Sequence, residues 1–300
     1  MLLILTHDIL PVFSMLALGF LLGRLDKVSK GEAGAINRIA FLILQPALIF
    51  PLISALDWSS FRVGALAGYA ASQVALFGLT FAVCRLLFRR ELLESWLLAM
   101  ATIFVNTLLY IWPISFLIYG EAAALPVTAI VAWDAAVSFA FFIVTTDLMA
   151  NRGAGPGPAL RRIASNPVLI AIALGMVVNV TGLPVAEPIL TAMGFAGAGA
   201  APLTLFALGV ILSGHALTPT PLVATVSALK LLAFPALVAG ALWAVAPPEA
   251  WQTLFTLTAA GPSGAMAFAL ALLYGVRTDA IAPVIIWTSV LSLFSLAWLA

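Results

Sequence analysis

Two interruptions of otherwise apolar segments are the most informative chemical feature of this sequence. Asn106 and Pro262 each lie near the middle of a long hydrophobic stretch, and their positions differ by 262 − 106 = 156 residues. Hydrocarbon offers no hydrogen-bond partner, so an interrupted membrane helix survives only where protein covers the freed backbone groups or where these groups line a wet cavity. The pair of breaks therefore predicts a polar binding chamber inside a membrane protein.

The residues around both breaks can unwind a helix and bind a small polar molecule. Pro113 removes a backbone donor and clashes with the carbonyl four residues earlier, and the glycines beside Pro262 tolerate unwound backbone. Taken singly, each break has an alternative reading, an ordinary proline kink whose freed groups bond to neighbouring helices. The predicted binding residues are Asn106, Thr107, Tyr110, Pro113, Gly261, Pro262 and Ser263, together with Ser72 and Gln73 in the third apolar segment.

Two charged residues lie deep in predicted membrane segments. Asp134 and Lys230 are each about 15 Å from a helix end at a rise of about 1.5 Å per residue. A charge at the bilayer centre costs on the order of 3 kcal/mol, so such residues face the protein interior and usually serve function. We expect Asp134 to carry a coupling proton or to line the pocket, and Lys230 to attract an anion or to neutralise Asp134. The alternative is a fixed ion pair that only joins helices.

The composition indicates a chain whose solvent is the bilayer. Hydrophobic residues make up 64% of the 300 residues and charged residues 8%, and the mean hydropathy is +1.17. A soluble domain has about 25% charged residues. Because spanning takes about 20 apolar residues, the sequence predicts an all-α polytopic protein with ten transmembrane helices. The predicted segments are 6–23, 35–55, 63–88, 95–118, 124–148, 166–183, 195–215, 219–246, 250–274 and 279–299.

A shift of 156 residues aligns the two halves of the chain without a gap. The shift places Pro46 on Pro202 and Asn106 on Pro262. Five helices per half make the second repeat inverted, and inverted repeats commonly bind substrate at the midplane between discontinuous helices. The predicted units are a five-helix repeat over 1–150, a cytoplasmic linker over 151–162 and an inverted repeat over 163–300, with helices 4 and 9 broken and crossing.

Positive charges predict the orientation of the chain. Lysines and arginines cluster in the loops after the first, third, fifth and ninth segments, whereas the intervening loops hold Arg62. The positive-inside rule places the first set in the cytoplasm, so both termini are predicted outside the cytoplasmic membrane. Cys84 is the single cysteine, which excludes an intrachain disulfide. A net charge of +1 gives no indication of a nucleic-acid partner, and we expect no metal or other cofactor.

Motifs along nearly the whole chain resemble the auxin efflux carriers and their bacterial relatives, which include malonate and other organic-acid permeases. The matching motifs are Leu10-Pro11 with Gly19, Leu44 to Phe50, Asn106-Thr107 with Pro113, Tyr119-Gly120-Glu121, Asn166-Pro167, Pro202 to Gly209 and Tyr274-Gly275-Val276. The resemblance implies ten helices in two inverted repeats, a transport bundle that moves against a scaffold in the manner of an elevator, and often a homodimer. The family commonly has glycine where this chain has Ile111, which implies a bulkier pocket wall.

The sequence therefore predicts a secondary active carrier of small organic anions, most simply carboxylates, with H⁺ or Na⁺ as the candidate coupling ion, and no enzyme. A channel or membrane receptor of the same fold is the alternative. A remote alternative is an intramembrane serine protease, because Gly261-Pro262-Ser263-Gly264 fits the pattern around the rhomboid serine. That chemistry needs a base, and His7 and His215 both precede Ser263, whereas the rhomboid histidine follows its serine.

Overall fold

The computed structural model describes residues 1–151 and 157–300. These residues form helices, turns and an isolated antiparallel β-bridge between Val105 and Ser263, with no named strand among them. Helices suit hydrocarbon because each one satisfies its backbone donors and acceptors internally. The predicted all-helical class is confirmed.

The helices are short pieces joined end to end. Those before residue 152 are α1 (Leu10–Arg24), α2 (Lys30–Ile39), α3 (Gln45–Ser54), α4 (Val63–Ala82), α5 (Leu92–Ile103), α6 (Trp112–Tyr119), α7 (Ala124–Trp133) and α8 (Phe139–Ala150). Those after residue 156 are α9 (Gly157–Ala164), α10 (Pro167–Thr181), α11 (Glu187–Gly197), α12 (Ala200–Leu212), α13 (Pro221–Ala228), α14 (Phe234–Val245), α15 (Glu249–Ala259), α16 (Met266–Leu273) and α17 (Ile281–Leu299).

Wider π-helical turns connect several of these pieces. They span Ile4–Ile9, Ala40–Leu44, Val83–Leu87, Thr107–Ile111, Asp134–Ser138 and Leu229–Ala233. Asp134 and Lys230, the two deep charges, both lie in such turns. Because π-helical turns occur frequently at functional sites, these two positions are candidates for a functional role.

Seven helices in the described residues are long and apolar enough to cross a bilayer, or eight if α9 and α10, which meet at 62°, form a single span. Ten uninterrupted spans are therefore not observed. The predicted fourth segment is split after Ile103, and the predicted ninth is split between Ala259 and Met266. The second part of the fourth segment also continues into the fifth, so that Thr107–Ala150 counts as one helix of 44 residues. Gly120, at φ +59°, ends α6 within this stretch.

The helices pack in two groups. In the first group α1 packs against α12, α2 against α12, and α3 against α10 and α11. In the second group α4 packs against α5 and α14, α14 packs against α15, and α5 packs against α16. Both interrupted segments belong to the second group.

Glycine allows very close helix contacts in the first group. A Cβ added to Gly19 of α1 would lie 2.0 Å from the Phe206 carbonyl oxygen of α12, and one added to Gly175 of α10 would lie 3.0 Å from the Phe50 oxygen of α3. The positions are related by one shift, since 175 − 19 = 156 and 206 − 50 = 156. The same helix contact is thus made twice, with the two halves of the chain exchanged.

The connection between the halves is described only in part. The linker predicted over 151–162 includes residues 152–156, which lie outside the described residues. Its remainder forms most of α9, a short helix that packs against α8 and α10. At the start of α10, the Asn166 side chain accepts hydrogen bonds from the Val168 and Leu169 backbone N–H groups at 3.0 and 3.2 Å, and such capping fixes where the helix begins.

Candidate functional site

The two interrupted segments meet and bond to each other. The backbone between α5 and the following π-helical turn is extended at Phe104, and residues 260–265 separate α15 from α16. The Asn106 N–H donates to the Pro262 carbonyl at 3.1 Å, and the Gly264 N–H donates to the Phe104 carbonyl at 2.7 Å. Each break therefore supplies hydrogen-bond partners for the other, which is what unwound backbone at membrane depth requires.

A cavity of about 480 Å³ lies beside these paired breaks. Its apolar walls include Phe104, Phe139 and Met266. Its polar lining residues are Asn37, Gln45, Asn106, Thr107, Asp134, Arg162, Asn166 and Thr204. A mostly apolar cavity with a few converging polar groups is the usual form of a small-molecule site.

Two helix beginnings face this cavity with free backbone donors. Thr107 and Leu108 open the turn that leads into α6, and Ala265 and Met266 open α16; all four line the cavity. Their backbone N–H groups donate to no acceptor within residues 1–151 and 157–300. The beginning of a helix carries a partial positive charge and binds anions readily. The region where the two breaks meet, at residues 104–108 and 260–266, is called the crossing below. Its two helix beginnings can bind an anion between them.

Asp134 reaches the cavity from its π-helical turn and is held by hydrogen bonds. Its Oδ1 accepts from Gln73 Nε2 at 2.7 Å, and its Oδ2 receives weaker contacts from the hydroxyls of Thr107 at 3.4 Å and Tyr69 at 3.5 Å. Gln73 Nε2 also donates to the Ile103 carbonyl, the last of α5, at 3.2 Å. The carboxyl group is thereby tied to the first break.

Lys230 makes the corresponding hydrogen bond at the second break. Its side chain is fully buried, and its Nζ donates to the Ala259 carbonyl, the last of α15, at 2.6 Å. Ile103 and Ala259 are related by the repeat shift, since 259 − 103 = 156. Gln73 and Lys230 thus bond to equivalent helix ends. Within the described part of the chain, Lys230 has no carboxylate within 4.0 Å and does not line the cavity.

A pair of neutral substitutions isolates this role of Lys230. We expect Lys230→Gln to be more stable than Lys230→Met by about 1–3 kcal/mol, because methionine leaves the buried Ala259 carbonyl without a donor. Both variants remove the charge and are of similar size, so charge burial cancels in the comparison. The melting temperatures of the two purified variants in detergent measure the difference, and equal values would show that the hydrogen bond to Ala259 is unimportant.

The remaining predicted binding residues lie near the crossing but outside the cavity lining. Tyr110 and Ser263 are buried, and their hydroxyls have no hydrogen-bond partner in the described residues. Pro113 lies in the first turn of α6, after the break and not within it. The Ser72 hydroxyl donates to its own helix, at the Gly68 carbonyl, 2.8 Å away. The last of the predicted residues, Gly261 and Pro262, form part of the second break.

Five polar lining residues were missed by sequence reasoning: Asn37, Gln45, Arg162, Asn166 and Thr204. Gln45 Nε2 donates to the Thr204 hydroxyl at 3.3 Å, which joins α3 to α12 at the cavity wall. Gln45 stands out in the sequence as a polar residue in an apolar stretch, and this signal could have identified it. Arg162 was assigned to a cytoplasmic loop, and no local pattern distinguishes it from Arg161.

Serine protease chemistry finds no support in the geometry. His7 Nδ1 contacts Asp8 Oδ1 at 2.6 Å, and His215 Nε2 lies 3.4 Å from the Thr278 hydroxyl. Neither histidine hydrogen-bonds Ser263. Without a base in contact, the serine hydroxyl stays a weak nucleophile.

Comparisons with known proteins show which membrane proteins this chain is similar to. Residues 157–299 match the family model described as Membrane transport protein. A protein of Rhizobium meliloti, provisionally named a malonate transporter, is 28% identical over 298 residues, covering 96% of this chain and 92% of the relative. An uncharacterized transporter of Methanothermobacter thermautotrophicus is 26% identical over 295 residues, covering 97% and 96%.

The apolar helices indicate an integral membrane protein, and over nearly its full length the chain is similar to proteins named as transporters. Residues 157–299, somewhat less than half of the chain, match that family model, and motifs along the chain resemble the auxin efflux carriers.

Proposed function

We propose that this protein is a secondary active carrier of small organic anions, with carboxylates as the substrate class. The observation that carries the proposal is the convergence of two helix beginnings with free N–H groups on one cavity that also holds Asn106 and Thr107. Such donors favour a negatively charged group. The name of the Rhizobium meliloti relative also favours a carboxylate.

We further propose that the chain forms ten helices in two inverted repeats of five, with helices 4 and 9 crossing at their breaks. Three structural pairs support the repeat: Gly19 on Phe206 with Gly175 on Phe50, Gln73 on Ile103 with Lys230 on Ala259, and Asn106 bonded to Pro262. Inverted repeats give a carrier two alternative accesses by symmetry. The two packing groups suit an elevator, in which the crossing segments move against α1, α2, α3, α10, α11 and α12.

The setting of the carrier is part of the proposal. The distribution of arginine and lysine favours a cytoplasmic membrane with both termini outside. A homodimer is the form expected from the family resemblance. Asp134 is the candidate for coupling to a proton gradient, because its carboxyl group lies at the cavity and contacts Thr107 at the crossing.

Transport by purified protein in proteoliposomes tests the function. We expect malonate or another small carboxylate to enter by saturable flux that an imposed ion gradient drives. A thermal-shift screen against carboxylates selects the compounds for this assay. Stepwise single-channel currents would contradict a carrier and favour a channel, and the absence of flux for all compounds that bind would favour a receptor.

Asp134→Asn tests the coupling role. The amide keeps the size of the side chain but cannot carry the proton, so we expect carboxylate flux to lose its dependence on pH. The measurement is the initial flux rate at several external pH values in proteoliposomes.

The matched control for this prediction is Asp57→Asn. Hydrogen bonds from Ser60 and Ser59 hold the pKa of Asp57 below its ordinary value, so this exposed carboxylate stays ionised throughout the assay and should not contribute to the profile. An unchanged pH profile in Asp134→Asn would exclude Asp134 as the proton carrier.

A further inference from the structure

A single cationic side chain reaches the cavity from the described residues: that of Arg162 on α9. Its side chain is 38% exposed, so solvent reaches the guanidinium. Arg162 takes no part in the hydrogen bonds described above at the crossing. The contacts of this arginine therefore bear directly on which solutes can enter the cavity.

Two neighbours hold the guanidinium in place. Arg162 Nη1 donates to Asp147 Oδ1 at 2.8 Å and also to the Tyr274 hydroxyl. The guanidinium carbon lies 5.2 Å from the centre of the Tyr274 ring, in a cation–π contact. Asp147 Oδ1 accepts two more hydrogen bonds, from the Tyr274 hydroxyl at 2.8 Å and from Asn151 Nδ2 at 3.0 Å. The arginine is thus held by three contacts with two residues, Asp147 of α8 and Tyr274 directly after α16.

The other edge of the guanidinium is available to a ligand. Both hydrogen bonds of Arg162 leave from Nη1, and Nε and Nη2 have no acceptor in residues 1–151 and 157–300. The partner Asp147 is completely buried, whereas Arg162 is partly exposed. An anion that arrives through the cavity therefore meets the guanidinium and not the carboxylate. Two adjacent N–H groups of arginine match the two oxygens of a carboxylate.

This cation contacts Tyr274, which follows the end of α16, whereas the crossing lies at the beginning of α16. The cavity is lined along one face of α16 by Met266, Ala269, Leu270 and Leu273. Tyr274, which contacts the Arg162 guanidinium, follows this helix directly. Eight residues from Met266 to Tyr274, at about 1.5 Å each, give a separation of about 12 Å. A small carboxylate of a few carbon atoms is shorter than this separation of the two backbone positions, so we treat the two ends as separate subsites.

We propose that Arg162 forms a second anion subsite at the mouth of the cavity, where a carboxylate binds before it reaches the crossing. This inference rests on the proposed transport of organic anions. Asp147 and Tyr274 act as positioning residues, because they hold the guanidinium with its free edge toward the cavity. The subsite selects solutes by charge at the entrance and leaves recognition of their shape to the crossing.

Replacement of the charge by chemical modification tests the subsite. In a Cys84→Ala background, which removes the single native cysteine, Arg162→Cys should raise the KM for malonate about tenfold or more, as expected for the loss of a charge-assisted hydrogen-bonded pair. A trimethylammonium methanethiosulfonate reagent restores a positive charge and should lower the KM again. The sulfonate reagent adds a negative charge and should not. Arg161→Cys, one residue away and exposed, is the matched control and should retain the KM of the background.

An unchanged KM in Arg162→Cys, or equal recovery with both reagents, would overturn the subsite. If Arg162→Cys does not fold, Arg162→Lys and Tyr274→Phe replace it. We expect Arg162→Lys to have a KM between those of the wild type and an uncharged variant. Absence of any carboxylate flux in the wild type would instead contradict the proposed function. In that case, a malonate-induced thermal shift that Arg162→Gln leaves undiminished would overturn the subsite independently.

Discussion

Asn106→Ala should reduce carboxylate flux at low substrate concentration roughly 10- to 100-fold, while the protein still folds. The Asn106 side chain lines the cavity and makes no hydrogen bond to another described residue, whereas its backbone N–H bonds to Pro262. Alanine keeps that backbone bond and removes only the amide group at the cavity. Loss of one hydrogen bond to a charged ligand costs about 1.5–3 kcal/mol, which is roughly 10- to 100-fold in affinity.

The measurement is malonate uptake into proteoliposomes at equal protein density, with size-exclusion profile and melting temperature as tests of folding. Thr145→Ala is the control, because this exposed hydroxyl bonds only to its own helix, at the Phe141 carbonyl. We expect wild-type flux from the control. Wild-type flux from Asn106→Ala would remove the binding site from the crossing, and Asn106→Ser should retain part of the activity if a polar group is what the substrate needs.

The second large effect concerns the contact between α1 and α12. Gly209→Val and Gly19→Val should each destabilise the protein by about 3 kcal/mol, the upper end of over-packing effects. A Cβ at Gly209 would lie 2.1 Å from the Leu16 carbonyl oxygen, and one at Gly19 would lie 2.0 Å from that of Phe206. Backbone atoms cannot rotate away as a flexible side chain can, so the helices must separate. Small residues at such contacts are what allows membrane helices to approach closely.

Thermal unfolding in detergent, followed by tryptophan fluorescence, measures this effect. Gly175→Val should destabilise the protein less, because its added Cβ would lie 3.0 Å from the Phe50 carbonyl oxygen. Gly78→Ala is the control: it lies within α4, and in the described part of the chain no atom beyond its own helix backbone lies within 4 Å of the added Cβ. Alanine is also a better helix former than glycine by about 1 kcal/mol. Equal melting temperatures for all four variants would contradict the close packing of α1 on α12.

The sequence identified the helical class and the region of the breaks, because apolar length, proline and glycine are local signals. It placed the first break less well. Pro113 was expected to open the helix, but proline is tolerated in the first turn of a helix because no backbone donor is needed there, and the observed break ends at Asn106. The extended backbone at Phe104 depends on its pairing with Gly264, a contact that no local pattern reveals.

The partners of the deep charges could not be predicted for a similar reason. Asp134 and Lys230 stand out in the sequence because charge is rare in apolar segments, so their interior location was expected. Which atoms they contact depends on how distant helices pack. The sequence left a fixed ion pair open as an alternative, whereas Lys230 bonds to a carbonyl at the end of α15 and Asp134 bonds to Gln73. Arg162 escaped attention because its partners, Asp147 and Tyr274, are distant in the chain.

Different chemical groups donate to the Ile103 and Ala259 carbonyls, and this difference affects the protein when no solute is bound. One helix end is met by the neutral amide of Gln73, and its counterpart is met by the ammonium of Lys230. Exchanging the conformations of the two halves would therefore move a buried positive charge from one environment to another. If the protein is the carrier proposed above, symmetry does not make its inward-facing and outward-facing forms equal in free energy, and we expect the population without solute to favour one side of the membrane.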